Sequence, residues 1–147
     1  MPRGGLRDVL EADGSERVPD IRERMQALMT EKCSIYRDRA GLEAALDEIE
    51  TLRERYSRMG LVNRGRVHNY ELREALELGN ILQISEVVLR SALAREESRG
   101  AHFRTDHPER DDVGWLKHTL IARSPEGLTL SYKPVAITRF QPQERRY

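Results

Sequence analysis

The stretch NYELREALELGNILQISEVVLRSALAREESR, residues 69–99, constrains the fold more than any other part of the chain, because it holds no proline and only one interior glycine, Gly79. Asn69 is placed to cap a helix starting just after it. The apolar positions Leu72, Ala75, Leu76, Leu78, Ile81, Leu82, Ile84, Val87, Val88, Leu89, Ala92 and Leu93 run most of the way round a helical wheel. A helix that is apolar on more than one side has to be covered by more than one neighbour. At a rise of 1.5 Å per residue it would be about 45 Å long, enough for two shorter helices to pack along it in a three-helix bundle. Gly79 costs about 1 kcal/mol against alanine in such a helix. Gly100 stands where a left-handed residue would end it.

Two further helices are legible upstream. Pro19 suits a first helical turn, and Ile21, Met25, Leu28, Met29 and Cys33 follow at the spacing of one helical face. Asp38 is a candidate cap for the next helix, whose stripe is Leu42, Ala45, Leu46, Ile49, Leu52 and Tyr56. After Gly100 the period changes. HTLIAR and LTLSYK flank SPEG, with Pro125 and Gly127 set for a reversal, so residues 118–133 read as a β-hairpin that Pro134 ends. The expected fold is mainly α, a three-helix bundle followed by a small β-hairpin extension. Residues 1–16 read as a linker or domain-junction segment with a weak helical turn or two. Residues 17–100 read as the bundle, and residues 101–147 as a charged loop, the hairpin and an extended C-terminal tail.

Charge narrows the function classes. Lys plus Arg and Asp plus Glu are 25 each, so the chain has no net field with which to gather a polyanion, and a nucleic-acid partner is not expected. The single Cys33 offers neither an internal disulfide nor a CxxC clip and suits a reducing compartment. No apolar run approaches the roughly 20 residues of a membrane helix, and the first residues lack the apolar core of a signal peptide. The expectation is a soluble, cytoplasmic chain without direct membrane insertion.

Chemistry-bearing residues concentrate in ESRGAHFRTDHPERDD, residues 97–112. A metal reading takes His102, Asp106 and His107, but their spacing follows no recurrent zinc pattern. A nucleophile reading pairs Ser98 or Cys33 with His102 or His118, yet no GxSxG elbow is present. No GxGxxG or GxxxxGK[ST] cradle for a nucleotide occurs. Arg99, Arg104 and Arg110 are interleaved with Glu96, Glu97, Asp106, Glu109, Asp111 and Asp112, a mixture better suited to bidentate pairs that fix a loop than to phosphate contacts. The residues themselves assign no catalytic, cofactor-binding or metal site.

The segment LREALELGNILQISEVVLRSALAREESRGAHFRTDHPERDDVGWLKHTL closely resembles the C-terminal region of the succinate dehydrogenase and fumarate reductase flavoprotein subunits, a family that extends to L-aspartate oxidase and the adenylylsulfate reductase flavoprotein. The motif residues are Glu97 to His102, Arg104, Asp106, Pro108, Arg110 to Asp112, Trp115 and Lys117 to Thr119, with His107 standing where many relatives have an aromatic. YKPVAITRFQPQERRY and the helical stretch from Ile21 to Tyr56 are also similar, so the resemblance covers about residues 17–147. It implies a spectrin-repeat-like three-helix domain with a β extension. It also implies a parent reaction, succinate and fumarate interconverted by FAD with electrons passing to or from an iron-sulfur subunit. In that family the FAD-binding and capping domains carry cofactor and substrate, so the resemblance leaves FAD with the parent flavoprotein and makes this chain inert alone. The implied parent complex is peripheral at the inner face of the cytoplasmic membrane. The stretch 97–112 then reads as an interdomain docking seam, held by Arg99, His102, Arg104, Asp106 and Arg110. An independent helical interaction or scaffold module without redox role is the alternative.

Overall fold

The computed structural model describes residues 5–125 and 127–143. Helices α1 (Leu6–Leu10), α2 (Val18–Lys32), α3 (Arg39–Ser57) and α4 (Tyr70–Ala94) are joined by short strands β1 (Tyr36–Arg37) and β2 (Phe103–Arg104) and a hairpin of β3 (Lys117–Ser124) and β4 (Gly127–Pro134). The caps sit where the sequence puts them. Asp38 accepts a hydrogen bond from the Gly41 amide at 2.7 Å and Asn69 from the Leu72 amide at 2.9 Å, so each satisfies one of the orphan donors of a first helical turn. Pro19 lies in the first turn of α2.

The core is the meeting of three stripes: Ile21, Met25 and Leu28 of α2, Leu42, Ala45, Ile49 and Leu52 of α3, and Ala75, Leu78, Leu82, Leu89 and Ala92 of α4. The many-sided apolar character of α4 is matched by its neighbours, since α1, α2, α3 and β3 all pack on it. Ile84 and Val88 nevertheless stay exposed. Gly79 has a packing reason. A Cβ there would lie 2.6 Å from the Tyr56 hydroxyl, which donates to the Ala75 carbonyl at 3.0 Å. The helix forgoes alanine's propensity so that a buried phenol can reach a carbonyl of the facing helix.

Ahead of α2, α1 buries Val9, and Ala12 is buried behind it. Residues 13–16 lie against 58–60 through the Gly14 amide to Met59 O (3.1 Å), Glu16 to Arg58 O (3.2 Å) and Gly60 to Glu16 O (3.1 Å), and Leu61 donates to Ala12 O (3.2 Å). The two backbones approach so closely that a Cβ on Gly14 would lie 1.8 Å from Arg58 O and one on Gly60 2.0 Å from Gly14 O. Both positions therefore require glycine.

The long helix ends earlier than its sequence pattern predicts. α4 stops at Ala94, with Arg95 already extended, and Gly100 is left-handed (φ 60°) inside a tight turn where Arg99 and His102 exchange backbone hydrogen bonds of 2.8 and 3.0 Å. The cause is a distant side chain. Arg104 donates to the carbonyls at the end of α4, so termination needs no glycine cap.

The hairpin pairs Lys117 with Pro134 through Ser124 with Gly127, one residue longer at each end than predicted. Gly127 takes φ 125° at the reversal. Trp115 and Tyr132 meet edge to face at 5.5 Å. The tail beyond Pro134 is described to Gln143 and forms no helix or strand there. β1 and β2 pair in parallel, Tyr36 with Phe103 and Arg37 with Arg104, which ties the α2–α3 junction to the charged loop. Among the described residues no helix is long and apolar enough to cross a membrane.

Candidate functional site

The charged loop is organised by two fully buried ionic groups, Arg104 and Glu97. Arg104 holds Asp106 in a fork, Nε to Oδ1 and Nη2 to Oδ2, both at 2.7 Å. Its Nη1 donates to the carbonyls of Ala92 (3.1 Å), Leu93 (3.1 Å) and Arg95 (3.0 Å). A planar guanidinium is suited to this double task, since one edge matches a carboxylate while the remaining donors are free for backbone. Asp106 Oδ2 also accepts from the Arg39 amide at 3.0 Å, in the first turn of α3. The Arg104 guanidinium keeps the Asp106 carboxyl well below the usual carboxylate range. One ion pair thus joins the end of α4 to the start of α3.

Glu97 accepts from Arg95, from Arg99 Nε at 2.8 Å and Nη2 at 3.1 Å, and from the Asp111 amide at 2.9 Å. A buried carboxylate survives in a protein interior only with such partners. Arg95 continues to the carbonyls of Trp115 (3.1 Å) and Lys117 (2.6 Å) and lies over the Trp115 ring at 5.1 Å. Arg99 reaches Asp112 at 2.6 Å, which Arg110 holds from the other side at 2.7 Å while donating to the Gln143 carbonyl at 2.7 Å. The loop, the hairpin and the tail are therefore linked through arginines.

His102 sits half-buried with Nδ1 2.8 Å from Arg37 Nη1 and Nε2 3.3 Å from the Arg95 carbonyl. A guanidinium only donates, so Nδ1 is the acceptor and Nε2 carries the proton. Burial, with Arg37, Arg104 and Arg95 nearby, pushes the imidazole pKa below its ordinary value. Folding therefore favours neutral His102, and the stability it contributes is fully present above the unfolded value of about 6.5 and is lost as pH falls from there through the lowered folded value. Urea unfolding at about pH 7.5 and about pH 5.5 should show a loss of stability in acid, part of which disappears in His102→Gln. An unchanged pH dependence in that variant would contradict the assignment.

The structure separates the residues that alternative chemistries would unite. His102 faces Arg37, whereas Asp106 faces Arg104 and Arg39. Among the described residues no group of three or more His, Cys, Asp or Glu is placed to hold a metal ion. The Ser98 hydroxyl is engaged with backbone, donating to His107 O at 2.8 Å and accepting from the Arg104 amide at 2.8 Å. Cys33 lies in the core, where burial raises its thiol pKa. Of the five residues read as a docking seam, Arg104 is enclosed, Arg99 and His102 are half-buried, and Asp106 and Arg110 reach the surface. Sequence reasoning did not single out Arg37 or Arg95, which prove to be hubs. For Arg95 the available signal was Trp115, an aromatic platform that attracts cations; Arg37 carried no such signal.

The sheets have two strands each, and among the described residues no glycine-rich turn leads from a parallel strand into a helix to hold a pyrophosphate. What the fold and the loop define is a helical bundle with an internally cross-linked ionic loop at one end. The chain belongs to the fumarate reductase flavoprotein C-terminal family, whose model matches residues 22–147. It is 47% identical over 135 residues to the fumarate reductase flavoprotein subunit of Mycobacterium tuberculosis, covering 91% of this chain and 23% of that subunit. The Escherichia coli fumarate reductase flavoprotein subunit is 41% identical over 145 residues, covering 97% of this chain and 24% of that one. A solved Escherichia coli quinol fumarate reductase superposes with a TM-score of 0.88 at 39% identity, covering 95% of this chain and 24% of that chain. The chain therefore spans about a quarter of the length of the relatives it matches.

Proposed function

We propose that this chain serves as the C-terminal helical part of a FAD-dependent flavoprotein that interconverts succinate and fumarate and exchanges electrons with an iron-sulfur subunit. In this reading the complex lies peripherally at the inner face of the cytoplasmic membrane. The observation that carries the reading is the 47% identity over 91% of this chain, set against coverage of only 23% of the relative. Flavin and dicarboxylate then belong to domains outside the matched region, and this chain docks on those domains and supports them. Arg104 gives the seam its shape, the Arg104–Asp106 and Arg110–Asp112 pairs reach the surface, and Arg99 and His102 stand behind them.

The purified chain, mixed with FAD and desalted, should be colourless and should not oxidise a reduced dye in the presence of fumarate. Retained flavin absorbance or fumarate-dependent turnover would place the chemistry in this chain and overturn the proposal.

A further inference from the structure

A groove of about 590 Å³ runs between α4, β3 and the charged loop. Its apolar floor includes Val87, Val88 and Ala92 of α4 and Leu116 ahead of β3, and among the described residues no carboxylate lines it. Arg95 and Arg99 border it, but Glu97 and Asp112 meet their charges. Two other cations at the groove are not met in that way. Arg37 gives Nε to the Ser34 carbonyl and Nη1 to His102, neither of which carries a negative charge. The Lys117 ammonium lies over the rings of Trp115 and Tyr132 at 4.3 and 4.5 Å, an attraction that leaves its charge intact. Among the described residues neither forms an ion pair. In a chain of zero formal net charge, a groove with two unopposed cations above an apolar floor has a definite complement.

We infer that this groove receives an acidic segment of the flavoprotein's remaining length, with an aspartate or glutamate between Arg37 and Lys117 and aliphatic neighbours on Val88 and Leu116. The inference rests on the docking reading above and names the partner's chemistry. A small dicarboxylate would satisfy the cations and leave the floor wet, whereas a protein segment covers both. The relatives extend over about three-quarters of their length beyond the part this chain matches, and the segment is sought there.

The test uses the full-length Mycobacterium tuberculosis subunit with its matched region replaced by this chain, carrying the photo-crosslinker p-benzoylphenylalanine at Val88 or, separately, at Glu109 in the charged loop. The Val88 probe should label one segment containing Asp or Glu flanked by apolar residues. Lys117→Glu should lower that yield about tenfold, and reversing the segment's carboxylate to lysine in the Lys117→Glu background should restore it. Labelling of a segment without a carboxylate, or a yield indifferent to Lys117→Glu, overturns the groove inference. If the Glu109 probe still labels the rest of the subunit in that case, docking stands without it. If neither probe labels the rest of the subunit, the docking reading itself fails, and the inference with it.

Discussion

Arg104→Ala should lower the stability of this domain by about 3–5 kcal/mol, the cost of breaking a buried charge pair by removing one partner. The substitution leaves Asp106 without its fork and three carbonyls at the end of α4 without their donor. A domain's whole stability is about 5–15 kcal/mol, so the melting temperature should fall by roughly 10–15 °C. Arg104→Lys should be only a partial rescue, because an ammonium keeps the charge but cannot span a carboxylate and three carbonyls at once. Calorimetry of the two variants decides the matter. A melting temperature within a few degrees of the parent for Arg104→Ala would show that water replaces the guanidinium at little cost. The pair also sets a limit in acid. With Asp106 held below its ordinary range, its contribution is fully present above about pH 4 and is lost as pH falls further.

Gly14→Ala should cost about 2–3 kcal/mol, at the upper end of overpacking penalties. Its Cβ would meet Arg58 O at 1.8 Å, Arg58 C at 2.4 Å and Met59 O at 2.8 Å, all backbone atoms with no rotamer by which to withdraw. The substitution must therefore part residues 12–16 from 58–61 and open the cover over Val9, Ala12 and Met59, all fully buried. Gly5→Ala is the control, since its Cβ would make only an ordinary contact of 3.7 Å with Asp8. Amide exchange should quicken at Gly60 and Leu61, which donate across this junction, in the first variant alone. Unchanged protection and an unchanged urea midpoint in Gly14→Ala would refute the argument.

The bundle was legible because its determinants are local. Asp38 and Asn69 cap within three residues of themselves, and the stripes from Ile21 to Leu28 and from Leu42 to Leu52 repeat with the helical period. The hairpin followed from a turn between two runs rich in apolar and β-branched residues. The end of α4 was misplaced by several residues because its terminator is Arg104, ten positions beyond Ala94, and local patterning carries no trace of that contact. The parallel pairing of Tyr36–Arg37 with Phe103–Arg104 was hidden for the same reason. Within the candidate site, the matching of arginines to carboxylates was foreseeable from composition. That Arg104 and Glu97 would be the enclosed members was not, since burial is decided by how α3, α4 and the hairpin converge.

The fork between Arg104 and Asp106 has a consequence for motion. Because the same two side chains close the last turn of α4 and hold the Arg39 amide at the first turn of α3, neither helix end can fray alone. Both are thereby coupled into one cooperative opening unit with the loop residues Arg104 and Asp106 that carry the fork. A surface restrained in that way loses little conformational entropy when another body is placed against it.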